Sequence, residues 1–327
     1  MRVVLVVNPG ATRFTGRLRD RVVRAIAAEH KVEVYHTSHA GQGTELARSA
    51  VAGGAELVVA MGGDGTVNEV VNGLAGTTVP LGLVGGGRTN VFARGLGLPG
   101  GDTLRAAVRL LELLESGARR RISLGMAGGR RFTFGAGLGL DGAIVREVER
   151  RRRAKQLYGD HAYVAAGVKT LLVGYDRDNP HLTVHFYDRR PAMSGFFALV
   201  GNGDPFTYLG PRPFRPTPQA SYELGLDILV GQSMSGLAIT RAITGMLSPR
   251  PRPTYPSFPV LHDQHRFRLE SDIPLAFQLD GEYLGDRTSV AFEHLPAALT
   301  VVAPPNPDPD HRHRSWRPAP SRAARRR

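Results

Sequence analysis

The chain has 327 residues, 42% of them hydrophobic, and no cysteine. That length suffices for two domains with separate cores, and the missing cysteine excludes disulfides, thiolate metal sites and cysteine nucleophiles. Lysine and arginine outnumber aspartate and glutamate by 42 to 29; no apolar run reaches the ~18 residues of a spanning helix, so any membrane contact is expected to be peripheral.

Strand and helix patterns alternate as far as Gly117–Arg121. Val3–Val7 reads as a buried strand ending in the turn Asn8-Pro9-Gly10. Gly16–His30 carries Leu18, Val22 and Ile26 at helical spacing, Lys31–His36 is a second strand, and Thr44–Ala52 a second helix. Leu57–Met61 and Leu81–Val84 are further short apolar strands, separated by a helix over Thr66–Leu74. Short apolar strands alternating with helices predict a parallel sheet covered on both faces.

From Arg121 the texture changes. Short runs at Arg131–Phe134, Leu182–Tyr187, Phe196–Val200, Leu226–Val230, His265–Glu270, Leu275–Leu279, Ser289–Phe292 and Leu299–Val302 are punctuated by glycine and proline. They predict an antiparallel β domain, interrupted by helical stretches at Asp141–Gly174 and Ser235–Leu247. The expected organisation is an α/β domain over 1–120, a β domain over 121–303, and a disordered basic tail over 304–327 with seven arginines.

The strongest local signal is the strand–glycine–helix junction Gly62-Gly63-Asp64-Gly65-Thr66-Val67-Asn68-Glu69. Glycines let peptide N–H groups approach a phosphate, and the following helix start favours negative charge. An aspartate beside phosphates is useful only with a divalent cation or a proton to transfer; the plain alternative is a corner with Asp64 as helix cap. Gly85-Gly86-Gly87-Arg88-Thr89-Asn90 again follows a strand directly. With Asn8-Pro9-Gly10 and with Thr37 at the end of the second strand, these turns share the carboxyl edge of one parallel sheet, where open α/β sheets place ligands. Farther on, Gly137-Leu138-Gly139-Leu140-Asp141 closes a glycine-rich run with an acid. Leu279-Asp280-Gly281-Glu282 taken alone reads as a hairpin turn.

In this order, from Asn8-Pro9 to Asp280-Gly281-Glu282, the motifs resemble the diacylglycerol kinase catalytic-domain family, which includes bacterial lipid kinases and the sphingosine and ceramide kinases. The resemblance implies an N-terminal three-layer α/β domain, a C-terminal antiparallel β-sandwich, and an active site in the cleft between them. It implies ATP held by Asn8, Pro9, Gly10, Ala11 and Thr12, by Thr37, by Gly62 to Glu69, and by Gly87, Arg88, Thr89 and Asn90. It implies Mg²⁺ at Asp64, with Asp141 as a second acid. Where the family motif reads Gly-Thr-x-Asn-Asp, this chain has Arg88 and Val91. A family structural-metal turn, Asp-Gly-x-Leu-Asp, appears as Glu223-Leu224-Gly225-Leu226-Asp227, leaving Asp227 as its unchanged acid.

The expected reaction is transfer of the ATP γ-phosphate to a lipid hydroxyl, diacylglycerol giving phosphatidic acid. The proton acceptor is either Asp64 or the Asp280-Gly281-Glu282 turn, and Asp141 is expected near the acceptor hydroxyl. The basic run Arg150–Lys155 and the arginine tail are expected either to contact anionic headgroups or to be solvated surface. The expected setting is cytoplasmic, at the inner membrane face, without a nucleic-acid partner and with room for a homodimer. Competing readings are a NAD kinase-like enzyme, which shares the Gly-Gly-Asp-Gly-Thr turn, and a degenerate protein that binds lipid or nucleic acid.

Overall fold

The computed structural model describes residues 1–11, 16–87, 89–153 and 176–305. Thr12, Arg88, the helical stretch expected beyond Arg153, and the tail beyond residue 305 lie outside that set.

The first layer system is built from β1 (Arg2–Val7), β2 (Lys31–His36), β3 (Leu57–Gly62) and β4 (Leu81–Gly85), all parallel and ordered β4-β3-β1-β2. Helices α1 (Gly16–Ala27), α2 (Gln42–Ala52), α3 (Asp64–Leu74), α4 (Val91–Gly95) and α5 (Thr103–Glu115) connect or follow these strands. Every residue of β3 and β4 is buried, as a parallel strand covered on both faces requires, whereas the edge strand β2 is half-exposed. Helix α5 starts where Asp102 accepts from the peptide N–H groups of Leu104 and Arg105, at 3.0 and 3.1 Å, and it buries Ala106, Ala107, Leu110 and Leu113.

The second system contains β5 (Arg120–Ala127), β6 (Arg130–Phe132), β7 (Gly135–Leu138), β8 (Leu182–Phe186), β9 (Met193–Gly195), β10 (Phe197–Gly201), the hairpin β11 (Thr207–Leu209) and β12 (Arg212–Phe214), β13 (Leu226–Gly231), β14 (Val260–Gln264), β15 (Arg266–Leu279) and β16 (Glu282–Val301). Its helices are α6 (Leu140–Arg153) and α7 (Gly236–Met246). The runs at His265–Glu270 and Leu275–Leu279 are one long strand, and so are those at Ser289–Phe292 and Leu299–Val302. Proline and polar residues at Ser271–Pro274 look like a turn in sequence, but they are a kink: β15 loses register with β16 between Glu270 and Leu275. There it passes from pairing with β8 to pairing with β7, so a single strand serves both layers of the sandwich.

Between the layers Phe267 stacks on Phe292 with ring centroids 4.9 Å apart, and Phe132 and Phe277 meet Phe292 edge-on. Alternation along β10 and β13 divides their side chains. Ala198, Val200, Leu226, Ile228 and Val230 face this aromatic core, while Phe197, Leu199 and Leu229 face outward, where α6 and α7 cover them.

The two systems are not simply consecutive. The end of β16 pairs in parallel with β4, Val301 against Leu81, and the Val302 N–H donates to Leu81 O at 2.8 Å. Leu299, Val301, Val302 and Ala303 are therefore part of the first core, which the chain completes with its last described strand.

Candidate active site

The chain runs from β1 to β2 on one side of β1 and then crosses to β3 on the other. The carboxyl ends of β1 and β3 thus flank a topological switch point. Asn8 closes the turn after β1 by accepting from Gly10 N–H at 2.9 Å, and its amide donates to Thr66 Oγ1 at 3.1 Å. The Asn8 N–H also bonds Met61 O at 3.0 Å, so the two turns move as one. Pro9 and Gly10 are exposed and Ala11 half-buried at the same edge. Thr37 extends the β1–β2 ladder by donating to Val7 O at 2.9 Å.

Helix α3 begins at Asp64 after an extended Gly63, and no side chain caps it. Its first-turn N–H groups are therefore open to an anion. A Cβ on the exposed Gly65 would meet nothing within 4 Å. Facing this turn, the loop after β4 is folded by Asn90, whose φ is 47° and whose side chain accepts from Gly87 N–H and donates to Gly87 O, both at 3.0 Å. The two glycine loops touch backbone to backbone: a Cβ on Gly87 would stand 2.7 Å from Gly63 Cα. Thr89 is half-buried beside them.

Asp64 is half-buried between these loops, and its carboxylate accepts from the Phe92 N–H at 3.4 Å. Burial and the nearby Asp280 charge push its pKa up to about 7, against the pull of peptide N–H groups at the start of α4.

Not all of the expected nucleotide loop faces a ligand. Val67 is core, and the Asn68 side chain is fully buried. Asn68 donates to Asp280 Oδ2 at 2.8 Å and to Arg131 O at 3.0 Å, and accepts from Arg130 Nε at 2.8 Å. Glu69 accepts from the N–H groups of Gly41 and Gly43, at 2.8 and 2.9 Å, securing the start of α2. Asn68 and Glu69 thus hold the frame around the loop.

The Asp280 turn lies across the same site, 8% exposed. Its carboxylate accepts five hydrogen bonds: Thr133 N–H at 2.7 Å, Thr133 Oγ1–H at 2.8 Å, Asn68 at 2.8 Å, Phe134 N–H at 3.0 Å and Gly135 N–H at 3.1 Å. Burial pushes its pKa up and the donors pull it back. With every contact a donor, no lone pair is left for a substrate proton. Glu282 is half-exposed and paired with Arg130 at 2.7 Å. Beside this turn, Gln278 donates to Asp141 at 2.6 Å and accepts from Gly281 N–H at 2.9 Å. Burial pushes Asp141 up to about 6, against the Gln278 hydrogen bond.

Sequence reasoning passed over Arg130, Thr133 and Gln278, which tie these motifs together, because none lies in a recognisable pattern. Arg94, which closes the loop after β4 in sequence, has its guanidinium 3.1 Å from the ring centroid of Tyr208, so that α4 touches the β11–β12 hairpin. The possible structural metal at Asp227 finds other partners. Asp227 accepts from His262 at 2.7 Å and from Asp263 N–H at 3.0 Å, and Glu223 pairs with Arg120. Among the described residues no group of three acids or histidines is placed to hold a metal ion.

An α/β sheet with glycine turns at its switch point, closed by a β-sandwich, defines the class. A family model for the diacylglycerol kinase catalytic domain matches residues 2–127. A diacylglycerol kinase of Bacillus subtilis is 34% identical over 174 residues, 52% of this chain and 55% of that protein, so the match spans about half of the relative's length. A diacylglycerol kinase of Staphylococcus aureus is 26% identical over 319 residues, 93% of this chain and 92% of the relative. The structure of a diacylglycerol kinase from Bacillus anthracis superposes with a TM-score of 0.68 at 22% identity, covering 93% of this chain and 97% of its own. Another Bacillus anthracis structure reaches 0.72 at 24% identity, with the same coverage; at these identities the likeness is one of fold. Over residues 2–127 the chain is similar to the diacylglycerol kinase catalytic domain, and along nearly its whole length it is similar to proteins of that name.

Proposed function

We propose that the protein is an ATP-dependent lipid kinase that transfers the γ-phosphate to a lipid hydroxyl, with diacylglycerol as acceptor and phosphatidic acid as product. The observation that carries this reading is Asp64, a half-buried carboxylate held near neutral pKa beside an uncapped helix start and two touching glycine loops. The open N–H groups of α3 take the phosphates. Asp64 takes the proton of the acceptor hydroxyl, whose oxygen attacks the γ-phosphorus as ADP leaves; a group with a pKa near the working pH suits that role. Asp280 is a scaffold, fixing Thr133–Gly135 and Asn68 around the site. Asp141 lies on the acceptor side and orients the hydroxyl.

A magnesium ion arriving with the nucleotide would be held mainly by phosphate oxygens and water, with the Asp64 carboxylate near it but left free for the acceptor proton. Such an ion would supply charge neutralisation to the phosphates.

The direct test is ATP turnover against a panel of lipid alcohols and NAD⁺, with products identified by mass. Phosphatidic acid formed faster than any other product supports the reading, and phosphorylation of NAD⁺ alone overturns it. The phosphate seat is tested by Gly65→Leu, which fills open space without touching the core. ATP affinity should fall at least tenfold, about 1.4 kcal/mol, with the melting temperature unchanged. Equal ATP affinity by calorimetry would move the phosphates elsewhere.

A further inference from the structure

The basic stretches that stand out in the sequence leave little to build on: Arg150 is paired with its own neighbour Glu147 at 3.0 Å. A third basic surface, hidden in the sequence among hydroxyl and proline residues, is formed by tertiary structure. A cleft of about 820 Å³ runs along α7, walled on its other side by the segment Ser248–Ser257. Arg241, Arg250 and Arg252 line it, together with Thr240 and Tyr255, and no acidic side chain does. Between Asp227 and Asp263 the sequence has no acid at all. All three arginines are exposed, and among the described residues none of their side chains has an ion-pair or hydrogen-bond partner.

The wall is a built structure. Tyr255 and Phe258 bridge each other, with Phe258 N–H donating to Tyr255 O at 3.0 Å, and Gln232 N–H holds Ser257 O at 2.9 Å. Tyr255 is buried against α7, and only a glycine at 245 leaves room for its ring: a Cβ there would stand 2.6 Å from it. Prolines 249, 251, 253 and 256 restrict the rest of the segment. Helix α7 also exposes Leu237, at the cleft, and Ile243, at 61% and 38%. Exposed apolar residues and the unpaired Arg241 on one surface helix, with Arg250 and Arg252 on the segment facing it, are the features of a surface that lies in a membrane interface.

We propose that this cleft docks the protein on an anionic bilayer, the three arginines taking phospholipid headgroup phosphates while Leu237 and Ile243 enter the acyl boundary. The proposal rests on the lipid-kinase reading for its purpose. The geometry adds a direction: Leu140 and Ile144 of α6 pack in the same apolar cluster as Ala242 and Met246 of α7. The docking helix therefore packs beside α6, whose first turn carries Asp141, the proposed acceptor-side acid.

The test is sedimentation of the full chain with vesicles of phosphatidylglycerol and phosphatidylcholine, and with phosphatidylcholine alone, for the parent and for the triple variant Arg241→Gln, Arg250→Gln, Arg252→Gln. Three headgroup contacts worth about fivefold each predict a loss of about 100-fold in partition to the anionic vesicles. Turnover of a short-chain, water-soluble diacylglycerol should be the same in both proteins. Arg241→Gln alone, on an exposed helix position, keeps the test valid should the triple variant fold poorly, with an expected loss of about fivefold. Unchanged sedimentation of either folded variant overturns the proposal. So does a loss confined to DNA retention, or a parent whose cleft binds inorganic phosphate while its vesicle binding ignores lipid charge. Cleft-dependent vesicle binding by a chain that phosphorylates no lipid would uphold the docking surface and overturn the kinase reading.

Discussion

Asp64→Asn should lower phosphoryl transfer by about 10²–10⁴-fold, the usual worth of a positioned general base, while the protein folds normally. In the parent, activity should climb with pH through about 7 as the carboxyl ionises, and the residual activity of the variant should lack that limb. Stability should respond in the opposite sense. The folded carboxyl keeps its proton up to about pH 7, whereas an unfolded aspartate releases it near pH ~3.9. Between those values the native state binds the extra proton, so the contribution of Asp64 to stability is fully present below the lower value and declines as pH rises toward the upper one. Asparagine carries no charge to desolvate. The variant should therefore melt higher than the parent at pH 8 and alongside it near pH 4. Initial rates and thermal melts at both pH values test the two halves together; turnover close to the parent's would remove Asp64 from the proton transfer.

Asp280→Ala should act on the fold before it acts on the chemistry. Removing the carboxylate orphans the Thr133, Phe134 and Gly135 peptide N–H groups, the Thr133 hydroxyl and the Asn68 amide at a buried site. Each buried donor left without a partner costs about 1–3 kcal/mol, so the variant should lose several kcal/mol in all, read as a fall in the denaturant midpoint. Glu282→Gln is the matched control two residues away. It loses one half-exposed pairing with Arg130, a change within about 1 kcal/mol. An Asp280→Ala protein as stable as the parent but inactive would return Asp280 to the chemistry.

The contrast between these two acids marks where sequence reasoning runs out. Asp64 is legible because its surroundings are local: a buried strand, two glycines and a helix start lie within ten residues of it, and each follows from spacing and backbone sterics. The pairing of glycine turns at one sheet edge is legible for the same reason, since parallel strands joined by helices bring their carboxyl ends together. Asp280 presents the same local signature as any Asp-Gly hairpin turn. Its five donors come from Asn68 and from Thr133–Gly135, which are distant in the chain, and nothing in the turn itself announces them. Arg130 pairing with Glu282, and Gln278 bridging Asp141 to the turn, are hidden in the same way.

Local pattern alone therefore determined the element types, the sheet edge where the glycine turns meet and the position of Asp64, because periodicity and glycine placement act within a few residues. Tertiary structure decided the rest. The kink at Ser271–Pro274 makes one strand serve two layers, Val301 returns to complete the first sheet, and the α7 cleft gathers three arginines with no acid between them. Each depends on segments far apart in the chain meeting in space, where burial and hydrogen-bond satisfaction, rather than local propensity, set which partners a residue keeps.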